Sequence, residues 1–240
     1  SEGALLHCTP TNEHKLVFGM VHGSFGTLGI VSRLTFRLVP AKKYVRMTYE
    51  KYDSLASYQA AITRHSQDSA LDFMDGIIHA PNLHVLSLGH FVDEAPYTHS
   101  YDWMRIYYRS TKTRSEDYLT TENYFFRYDR GVTNVRPSSF LGRLFFGKVM
   151  HSTNLLWAAQ RMPWLIKWLD GDNPKMTLDV FLPFSKLPAF FEWYNREIGY
   201  NPLWCVPYKR HDYEWINPRI LDGLADTMFV DIAVYGLPPT

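Results

Sequence analysis

Two stretches of this sequence repeat one order of predicted elements: a strand, a helix and two further strands. In the first stretch, apolar residues alternate over 44–50, recur at helical spacing after Asp53, the predicted N-cap, and then form two runs joined by Pro81-Asn82. That order is typical of a split unit of the ferredoxin-like kind. Two such units sharing one sheet form an α+β domain with a mainly antiparallel sheet and helices on one face, and this is the predicted fold. The predicted segments are a strand over 44–50, a helix from 53, strands over 71–80 and 84–92, a strand over 176–182, a helix over 185–198, and strands over 203–207 and 228–235.

The composition excludes several classes of protein. With 46% hydrophobic and 20% charged residues, the 240-residue chain has enough apolar side chains for one large domain or two small ones. Its 25 Lys and Arg against 24 Asp and Glu leave a net charge of +1, which offers no general attraction for a polyanion, so we expect no nucleic-acid partner. Cys8 and Cys205 lie far apart and form no Cys-x-x-Cys motif. They predict neither a disulfide framework nor a zinc site, which favours a cytoplasmic location.

The first forty residues have a pattern of their own. A strand is predicted over 4–8, a short helix over 13–21, and a half-buried strand over 30–39. The polar joint that follows, 40–43, predicts a domain boundary. Because the chain begins with Ser1 rather than Met and no signal sequence precedes the first predicted strand, we expect a piece of a longer protein.

A glycine-rich turn is the strongest local signal. Gly23, Gly26 and Gly29 recur every three residues, which permits positive φ and a close approach of backbone N–H groups to a flat or anionic ligand. The glycine spacing and the helix-to-strand order exclude the dinucleotide fingerprint and the P-loop. A tight turn that packs closely without any ligand is the alternative.

This turn and its flanks resemble a known cofactor-binding element. Residues 23–31 with 34–40 look like the last strand and loop of the vanillyl-alcohol-oxidase/PCMH-type FAD-binding fold, and 16–18 resembles the short helix before it. Within that superfamily the sequence resembles the delta-24 sterol reductases of the diminuto/seladin type. The motifs that carry this resemblance are Cys8-Thr9-Pro10, Pro40-Ala41-Lys42-Lys43-Tyr44-Val45, Phe126-Arg127-Tyr128, Pro202-Leu203-Trp204-Cys205-Val206-Pro207 and Asp231-Ile232-Ala233-Val234-Tyr235-Gly236.

The resemblance implies an FAD-linked flavoprotein oxidoreductase. It assigns residues 1–40 to the C-terminal part of the FAD-binding domain and 41–240 to a cap, or substrate, domain that is incomplete at its C-terminus. Because the family's pyrophosphate-binding loop lies upstream of these residues, we expect this chain alone to bind FAD weakly or not at all and to be inactive. The FAD contacts that the resemblance implies, mostly through backbone groups, are Gly23, Ser24, Gly26, Thr27, Gly29, Ile30 and Val31.

An aromatic and basic run over 124–130 is the candidate catalytic segment. Flavin chemistry requires a positioned substrate, a proton donor or acceptor, and positive charge near the reduced flavin. An edge strand whose arginines reach out to solvent is the alternative, and each aromatic residue by itself also fits a core position. The predicted site residues are Tyr128 and Arg127 as catalytic groups and Tyr124, Trp204 and Tyr235 as substrate-binding groups.

The remaining charged residues give weaker signals. His79, His84 and His90 surround one predicted hairpin at uneven spacing without a carboxylate pair, so no metal site is predicted. The acidic pairs are interpreted as solvated faces of the fold. These pairs are Asp72 with Asp75 and Glu116 with Asp117.

A helix predicted over 154–169 carries three Trp and further apolar residues on more than a single stripe. It is either a membrane-touching surface that admits a lipid-like substrate or a helix buried on most sides. The predicted location is therefore cytoplasmic, with peripheral membrane contact as an open alternative.

Residues and resemblance together predict a fragment of an FAD-dependent oxidoreductase. Hydride transfer through flavin N5 would reduce a C=C bond of a small hydrophobic, sterol-like or isoprenoid substrate, with NADPH as a candidate electron donor. Two alternatives stay open. One is an FAD-linked oxidase or dehydrogenase of an alcohol or 2-hydroxy acid, and the other is a non-catalytic cap that binds a hydrophobic ligand or a partner.

Overall fold

The chain divides into two compact units. A computed structural model describes residues 3–129, 140–149, 151–164, 177–211 and 223–235. One unit comprises 1–40 with 209–227, and the other comprises 41–208 with 228–240. The division between residues 40 and 41 falls within the predicted polar joint. That the two units are an FAD-binding piece and a cap stays a prediction.

The unit that contains residues 1–40 is sparse in regular structure. Its helix α1 spans Lys15–Val21, as the sequence predicts. The predicted strands over 4–8 and 30–39 are wrong for this structure, because neither segment is in a strand. A strand exists only where its backbone N–H and C=O groups pair with a neighbour, and sequence alternation by itself does not supply one. The apolar side chains of 30–39 are exposed, among them Ile30 at 94% and Phe36 at 68%.

The other unit contains all seven described strands. Among the described residues, no helix is both long and apolar enough to cross a membrane. In chain order the elements are β1 (Tyr44–Tyr52), α2 (Leu55–His65), β2 (Phe73–Ala80), β3 (Leu83–Val92), α3 (Tyr107–Ser110), β4 (Glu116–Thr120), α4 (Thr121–Phe125), α5 (Phe140–Phe146), α6 (Ser152–Arg161), β5 (Thr177–Pro183), a 3₁₀ turn (Phe184–Lys186), α7 (Leu187–Glu197), β6 (Leu203–Lys209) and β7 (Met228–Tyr235).

One sheet joins the strands in the order β4-β1-β3-β2-β6-β7-β5. The described pairings, β1 with β3 and β4, β2 with β3 and β6, and β5 with β7, are all antiparallel. In each strand-helix-strand-strand unit the last strand lies between the other two, β3 between β1 and β2, and β7 between β6 and β5. The predicted α+β order and the mainly antiparallel sheet are therefore confirmed.

Two predicted helix boundaries need correction. The N-cap of α2 is Ser54 rather than Asp53, because the Ser54 side chain accepts a hydrogen bond from the backbone N–H of Ser57. Helix α6 ends at Arg161, and after a break at Met162 the residues Pro163 and Trp164 are helical again. A proline disfavours helical geometry in the residue before it, and Met162, which precedes Pro163, has φ −133° and ψ 59°. Residues 165–169 of the predicted helix lie outside the described residues.

The sheet carries a different layer on each face. Helices α2 and α7 cover one face, where buried Tyr58, Ile62 and Phe191 pack on strand residues such as Leu86. This matches the predicted helical layer. The segment 97–128 covers the other face and contributes buried tyrosines that pack with β1 and β3. This second layer, which the sequence did not predict, holds the candidate site. Its tyrosines are Tyr101, Tyr107 and Tyr124.

Candidate functional site

A buried carboxylate, Asp75, is the centre of the candidate site. It lies on β2 opposite Ser87 of β3, and only 6% of the residue is exposed. Ile77, two residues further along, is 2% exposed. Because side chains two residues apart share one face of a strand, Asp75 points to the face covered by 97–128. The interpretation of Asp75 as a solvated charge is therefore wrong.

Three donors from two distant segments meet one oxygen of Asp75. The Arg127 guanidinium Nη2 lies 2.9 Å from Oδ2, and the Tyr128 hydroxyl donates to the same oxygen at 3.1 Å. The Trp204 indole N–H also donates to it, at 3.2 Å. Buried carboxylates are stable only when ion-paired and hydrogen-bonded, and these donors meet that requirement. The structure thus brings together three of the predicted site residues.

Arg127 is held by aromatic rings as well as by Asp75. Its guanidinium carbon lies 4.0 Å from the ring centre of Tyr124, 4.7 Å from that of Tyr128 and 5.1 Å from that of Tyr107. Its Nη1 donates to the Tyr124 carbonyl at 2.8 Å. Burial is the largest influence and disfavours the charged form, but Asp75 and the neighbouring tyrosines together outweigh it and raise the pKa of Arg127. The cation is therefore permanent and is neutralised locally by the carboxylate.

The tyrosines of the site keep their protons at neutral pH. Burial, followed by the negative charge of Asp75, raises the pKa of Tyr128 well above its ordinary value. The same two causes raise the pKa of Tyr107 to about 12. Burial also raises the pKa of Tyr124. These hydroxyls can donate hydrogen bonds or protons, whereas the tyrosinate form needed for a general base is inaccessible.

A polar row crosses the sheet beside this cluster. The strand register aligns Tyr49 of β1 with Ser87 of β3, and Ser87 with Asp75 of β2. The Tyr49 hydroxyl, Ser87 Oγ and Asp75 Oδ1 are buried; the first two interact with the Tyr107 hydroxyl, and none of the three makes a hydrogen bond of standard geometry within the described residues. Such atoms are uncommon in folded proteins, so their alignment in one row marks this face as a polar site within an apolar layer.

A second buried carboxylate, Asp117 of β4, was also missed by the sequence interpretation. It is fully buried rather than solvated. His99 Nδ1 lies 2.6 Å from its Oδ1, the Tyr101 hydroxyl donates to its Oδ2, and Arg114 Nη1 lies 3.7 Å from Oδ1. These contacts fix the covering segment to the edge of the sheet. Leu119, two residues further along β4, lies on the same strand face as Asp117 and is buried. The interpretation of Asp117 as a solvated charge is therefore wrong for the same reason as that of Asp75.

The glycine turn is exposed and locally ordered. Gly26 has φ +79° and Phe25 has φ +49°. The hydroxyls of Ser24 and Thr27 donate to the carbonyls of Val21 and Ser24, at 3.0 and 2.6 Å. A Cβ added at Gly23, Gly26 or Gly29 would meet nothing within 4 Å. The alternative of a closely packed turn is therefore unsupported, and the loop presents open backbone.

Comparison with known proteins agrees with the residue motifs. No protein-family model matches the sequence. The human delta(24)-sterol reductase is 23% identical over 262 residues, which cover 99% of this chain and 48% of that protein. The Arabidopsis thaliana delta(24)-sterol reductase is 24% identical over 278 residues, covering 98% of this chain and 48% of the relative. A Caenorhabditis elegans delta(24)-sterol reductase homolog is 22% identical over 245 residues, covering 92% and 45%.

The predicted resemblance to the delta(24)-sterol reductases is confirmed. The similarity runs through both units, so it includes the glycine turn and the Asp75 cluster. The chain spans about half the length of the curated relatives that it matches. The individual site residues are not tested by this similarity and stay predictions.

One predicted substrate-binding residue, Tyr235, lies apart from the others in the sheet. Its backbone at the end of β7 pairs with Thr177 of β5, and β6 separates β7 from β2. Tyr208, on β6, packs its ring 5.9 Å from that of Phe229 rather than with the Asp75 cluster. The described contacts therefore connect Trp204, but not Tyr208, with Asp75.

The histidines near the β2–β3 hairpin serve the fold. Thr111 Oγ1 donates to the Tyr108 carbonyl at 2.8 Å, so it accepts from His79 Nε2 at 2.9 Å. His84 packs its ring 5.5 Å from the ring of Tyr58, and His90 Nδ1 lies 3.0 Å from the Ala70 carbonyl. Over the described parts of the chain, no group of three potential metal ligands occurs.

Proposed function

We propose that this chain is part of an FAD-dependent oxidoreductase that reduces a C=C bond of a sterol-like or isoprenoid substrate. The observation that carries the proposal is similarity over 99% of the chain to proteins named delta(24)-sterol reductase. The aromatic and largely apolar surroundings of the Asp75 cluster support a small hydrophobic substrate. In this proposal residues 1–40 complete an FAD-binding domain, and 41–240 cover the substrate.

The glycine turn fits FAD as a backbone contact. Positive φ at Gly26, together with the open space around all three glycines, leaves the main chain accessible to a flat or anionic group. When bound, FAD supplies hydride transfer through its N5 atom, and NADPH is the proposed source of that hydride. The residues that would hold it are Gly23, Ser24, Gly26, Thr27, Gly29, Ile30 and Val31.

The proposed role of Tyr128 is proton donation. Reduction of a C=C bond adds a hydride to one carbon and a proton to the other, so the protein must provide an acidic group. Tyr128 retains its proton at neutral pH and lies 3.1 Å from Asp75. Its proton points to Asp75 in this structure, so donation to the substrate would require the O–H to turn away from that carboxylate. Tyr124 and Trp204 would then border the substrate.

Arg127 receives a different role from the one the sequence suggested. Its charge was expected to stabilise a reduced, anionic flavin. In the structure Asp75 matches that charge at 2.9 Å, and three tyrosine rings surround the cation. We therefore assign Arg127 as a positioning residue that orders Tyr124 and Tyr128. A cation that stabilises an anionic flavin must have no carboxylate of its own to neutralise it, whereas Arg127 is paired with Asp75.

The test is an assay of the longer protein that contains this chain. A flavin absorbance spectrum first separates an enzyme from a non-catalytic cap. Anaerobic incubation with NADPH and a sterol whose aliphatic tail has a C=C bond should then yield the saturated sterol by mass spectrometry. Turnover of an alcohol or 2-hydroxy acid with O₂, and no sterol reduction, would contradict the proposal in favour of an oxidase.

Site variants of the longer protein test the assigned roles. Removal of a general acid lowers kcat by about 100-fold or more, so Tyr128→Phe should do so while flavin content is retained. Phe126→Leu is the matched control, because Phe126 lies in the same segment but is 63% exposed. Equal kcat values for Tyr128→Phe and the control would remove Tyr128 from the mechanism.

A further inference from the structure

A row of buried hydroxyl groups lies beside Asp75, and the function proposed above gives it no role. Tyr49 of β1 is paired with Ser87 of β3, and Ser87 is paired in turn with Asp75 of β2. Paired residues of antiparallel strands turn their side chains to the same face of the sheet, so these three side chains are neighbours. Because all three residues are buried, the row is closed to bulk solvent.

Tyr107 joins this row from the segment that covers the sheet. Its hydroxyl interacts with the hydroxyls of Tyr49 and Ser87. Its ring lies edge-on to the ring of Tyr49, with the ring centres 6.2 Å apart. The same ring lies edge-on to that of Tyr128, with the centres 5.1 Å apart. Tyr107 thus connects the hydroxyl row with the segment that carries the proposed proton donor.

The polar atoms of the row complement one another chemically. A hydroxyl both donates and accepts hydrogen bonds, whereas a carboxylate only accepts them. Three donors meet Asp75 Oδ2, but Oδ1 and the hydroxyls of Tyr49, Ser87 and Tyr107 make no hydrogen bond of standard geometry within the part of the chain that the structure describes. Buried polar atoms are nearly always hydrogen-bonded. A chain in which each hydroxyl donates to the next, and the last donates to Oδ1, satisfies all four atoms.

We propose that the hydroxyls of Tyr49, Tyr107 and Ser87, defined as the hydroxyl chain, donate in that order towards Asp75 Oδ1 and thereby prepare Tyr128 for proton donation. Ser87 and Tyr107 are then positioning residues, because they act on Tyr128 through Asp75. The inference rests on the function proposed above, since it concerns the release of the same proton.

The hydroxyl chain acts through the negative charge of Asp75. The Tyr128 hydroxyl donates to Oδ2 at 3.1 Å, so its proton must turn away from this carboxylate before it reaches a substrate. A hydrogen bond to Oδ1 stabilises the carboxylate charge and makes Oδ2 a weaker acceptor. The Tyr128 O–H can then turn to the substrate. Its bond breaks as the new C–H bond forms, and the electron pair stays on the phenolate oxygen.

Nuclear magnetic resonance of the 240-residue protein tests the hydroxyl chain without any reaction. The carboxyl carbon resonance of Asp75 reports on hydrogen bonds to both of its oxygens. Ser87→Ala and Tyr107→Phe should each shift this resonance, because each removes a hydroxyl of the chain. Tyr101→Phe is the matched control, because Tyr101 is a buried tyrosine of the same segment whose hydroxyl donates to Asp117 instead. It should leave the Asp75 resonance in place.

Kinetics of the longer protein tests the effect on proton donation. Ser87→Ala and Tyr107→Phe should each lower kcat for the sterol by about tenfold, the rate equivalent of one lost hydrogen bond to a charged group, with little change in KM. The decrease of kcat on transfer from water to deuterium oxide should be larger in these variants, because proton transfer then limits turnover more fully. A merely structural role would not change this isotope effect. Tyr101→Phe should retain the kcat and the isotope effect of the parent protein.

Each outcome has a distinct meaning. Far-ultraviolet circular dichroism verifies that every variant is folded. An Asp75 resonance that is the same in the parent protein and all variants overturns the proposal. Parent values of kcat and of the isotope effect in Ser87→Ala and Tyr107→Phe overturn it as well, as does an equal loss of kcat in Tyr101→Phe. If the longer protein reduces no sterol, the function proposed above fails, while the Asp75 resonance still decides whether the hydroxyl chain exists.

Discussion

Trp204 donates its indole N–H to Asp75 at 3.2 Å, although 129 residues separate the two in sequence. The register of β2 and β6 places Trp204 opposite Ile77, two residues from Asp75. This bond therefore crosses the seam between the two strand-helix-strand-strand units. Arg127 and Tyr128 donate to the same carboxylate oxygen. One buried charge therefore links the two strand-helix-strand-strand repeats to the segment 97–128 that covers the sheet.

Asp75→Asn should destabilise the fold strongly. The variant leaves the Arg127 cation buried without its counter-charge, and breaking a buried ion pair costs about 3–5 kcal/mol. Urea unfolding followed by circular dichroism measures the loss. Asp75→Asn combined with Arg127→Met should recover part of it, because the second change removes the unpaired charge.

The Arg46–Glu116 pair provides the control for that prediction. Its atoms are 2.6 Å apart, but the two side chains are 49% and 37% exposed. Exposed pairs contribute about 0–1 kcal/mol, so Glu116→Gln should have a small effect. A loss from Asp75→Asn no larger than that from Glu116→Gln would contradict the central role of Asp75.

The order of strands and helices could be predicted because it depends on local periodicity. Alternation along β1, β6 and β7 and helical spacing in α2 and α7 are properties of contiguous residues. Alternation over 30–39 wrongly predicted a half-buried strand, because a strand also requires a partner that alternation does not specify.

The candidate site could be predicted only in part. The motif 126–128 and Trp204 pointed to residues that the structure does bring together. Asp75 was misinterpreted because its charge was given more weight than its position. Since Asp75 and Ile77 share a strand face, the burial of one implies the burial of the other, and this signal was present in the sequence. The ion pair with Arg127 depends on a tertiary contact over 52 residues, which no local pattern contains.

His79 should make stability depend on pH in the acid range. Burial, and then the charge of Lys112, lowers the pKa of His79 to about 3. A histidine in an unfolded protein titrates near pH ~6.5. Between these two pH values the unfolded state binds a proton that the folded state excludes. The stability that comes from the neutral His79 ring is therefore complete above pH ~6.5 and is lost as the pH falls towards 3.

Unfolding measurements at several pH values check this sign. The contribution of His79 should fall by about 1.4 kcal/mol for each pH unit well below ~6.5. His79→Gln lacks the titrating ring, so its free energy of unfolding should decline less steeply between pH 6 and pH 4. Parallel declines in the two proteins would show that His79 titrates equally in both states.

Cys205 should be unreactive in the folded protein. It is fully buried, and burial raises the pKa of its thiol to about 12. Thiol reagents attack the thiolate, which is scarce at neutral pH under these conditions. In a Cys8→Ser variant, where Cys205 is the remaining thiol, labelling with a chromogenic disulfide should be negligible until urea unfolds the protein. Rapid labelling of the folded variant would contradict the burial of this side chain.

Gly26 and Gly23 should respond differently to the same substitution. Gly26 has φ +79°, a left-handed conformation that residues with a Cβ adopt only at a cost, whereas Gly23 does not have a positive φ. A Cβ meets nothing within 4 Å at either position, so the backbone conformation alone distinguishes them. An alanine held in the left-handed region destabilises the turn by about 1 kcal/mol or more, and the loop relieves this strain by adopting another backbone path.

In the longer protein, Gly26→Ala should therefore lower the flavin bound per polypeptide, measured by absorbance after gel filtration, while Gly23→Ala should retain more of it. Full flavin content in Gly26→Ala would show that the left-handed turn is not needed for the cofactor.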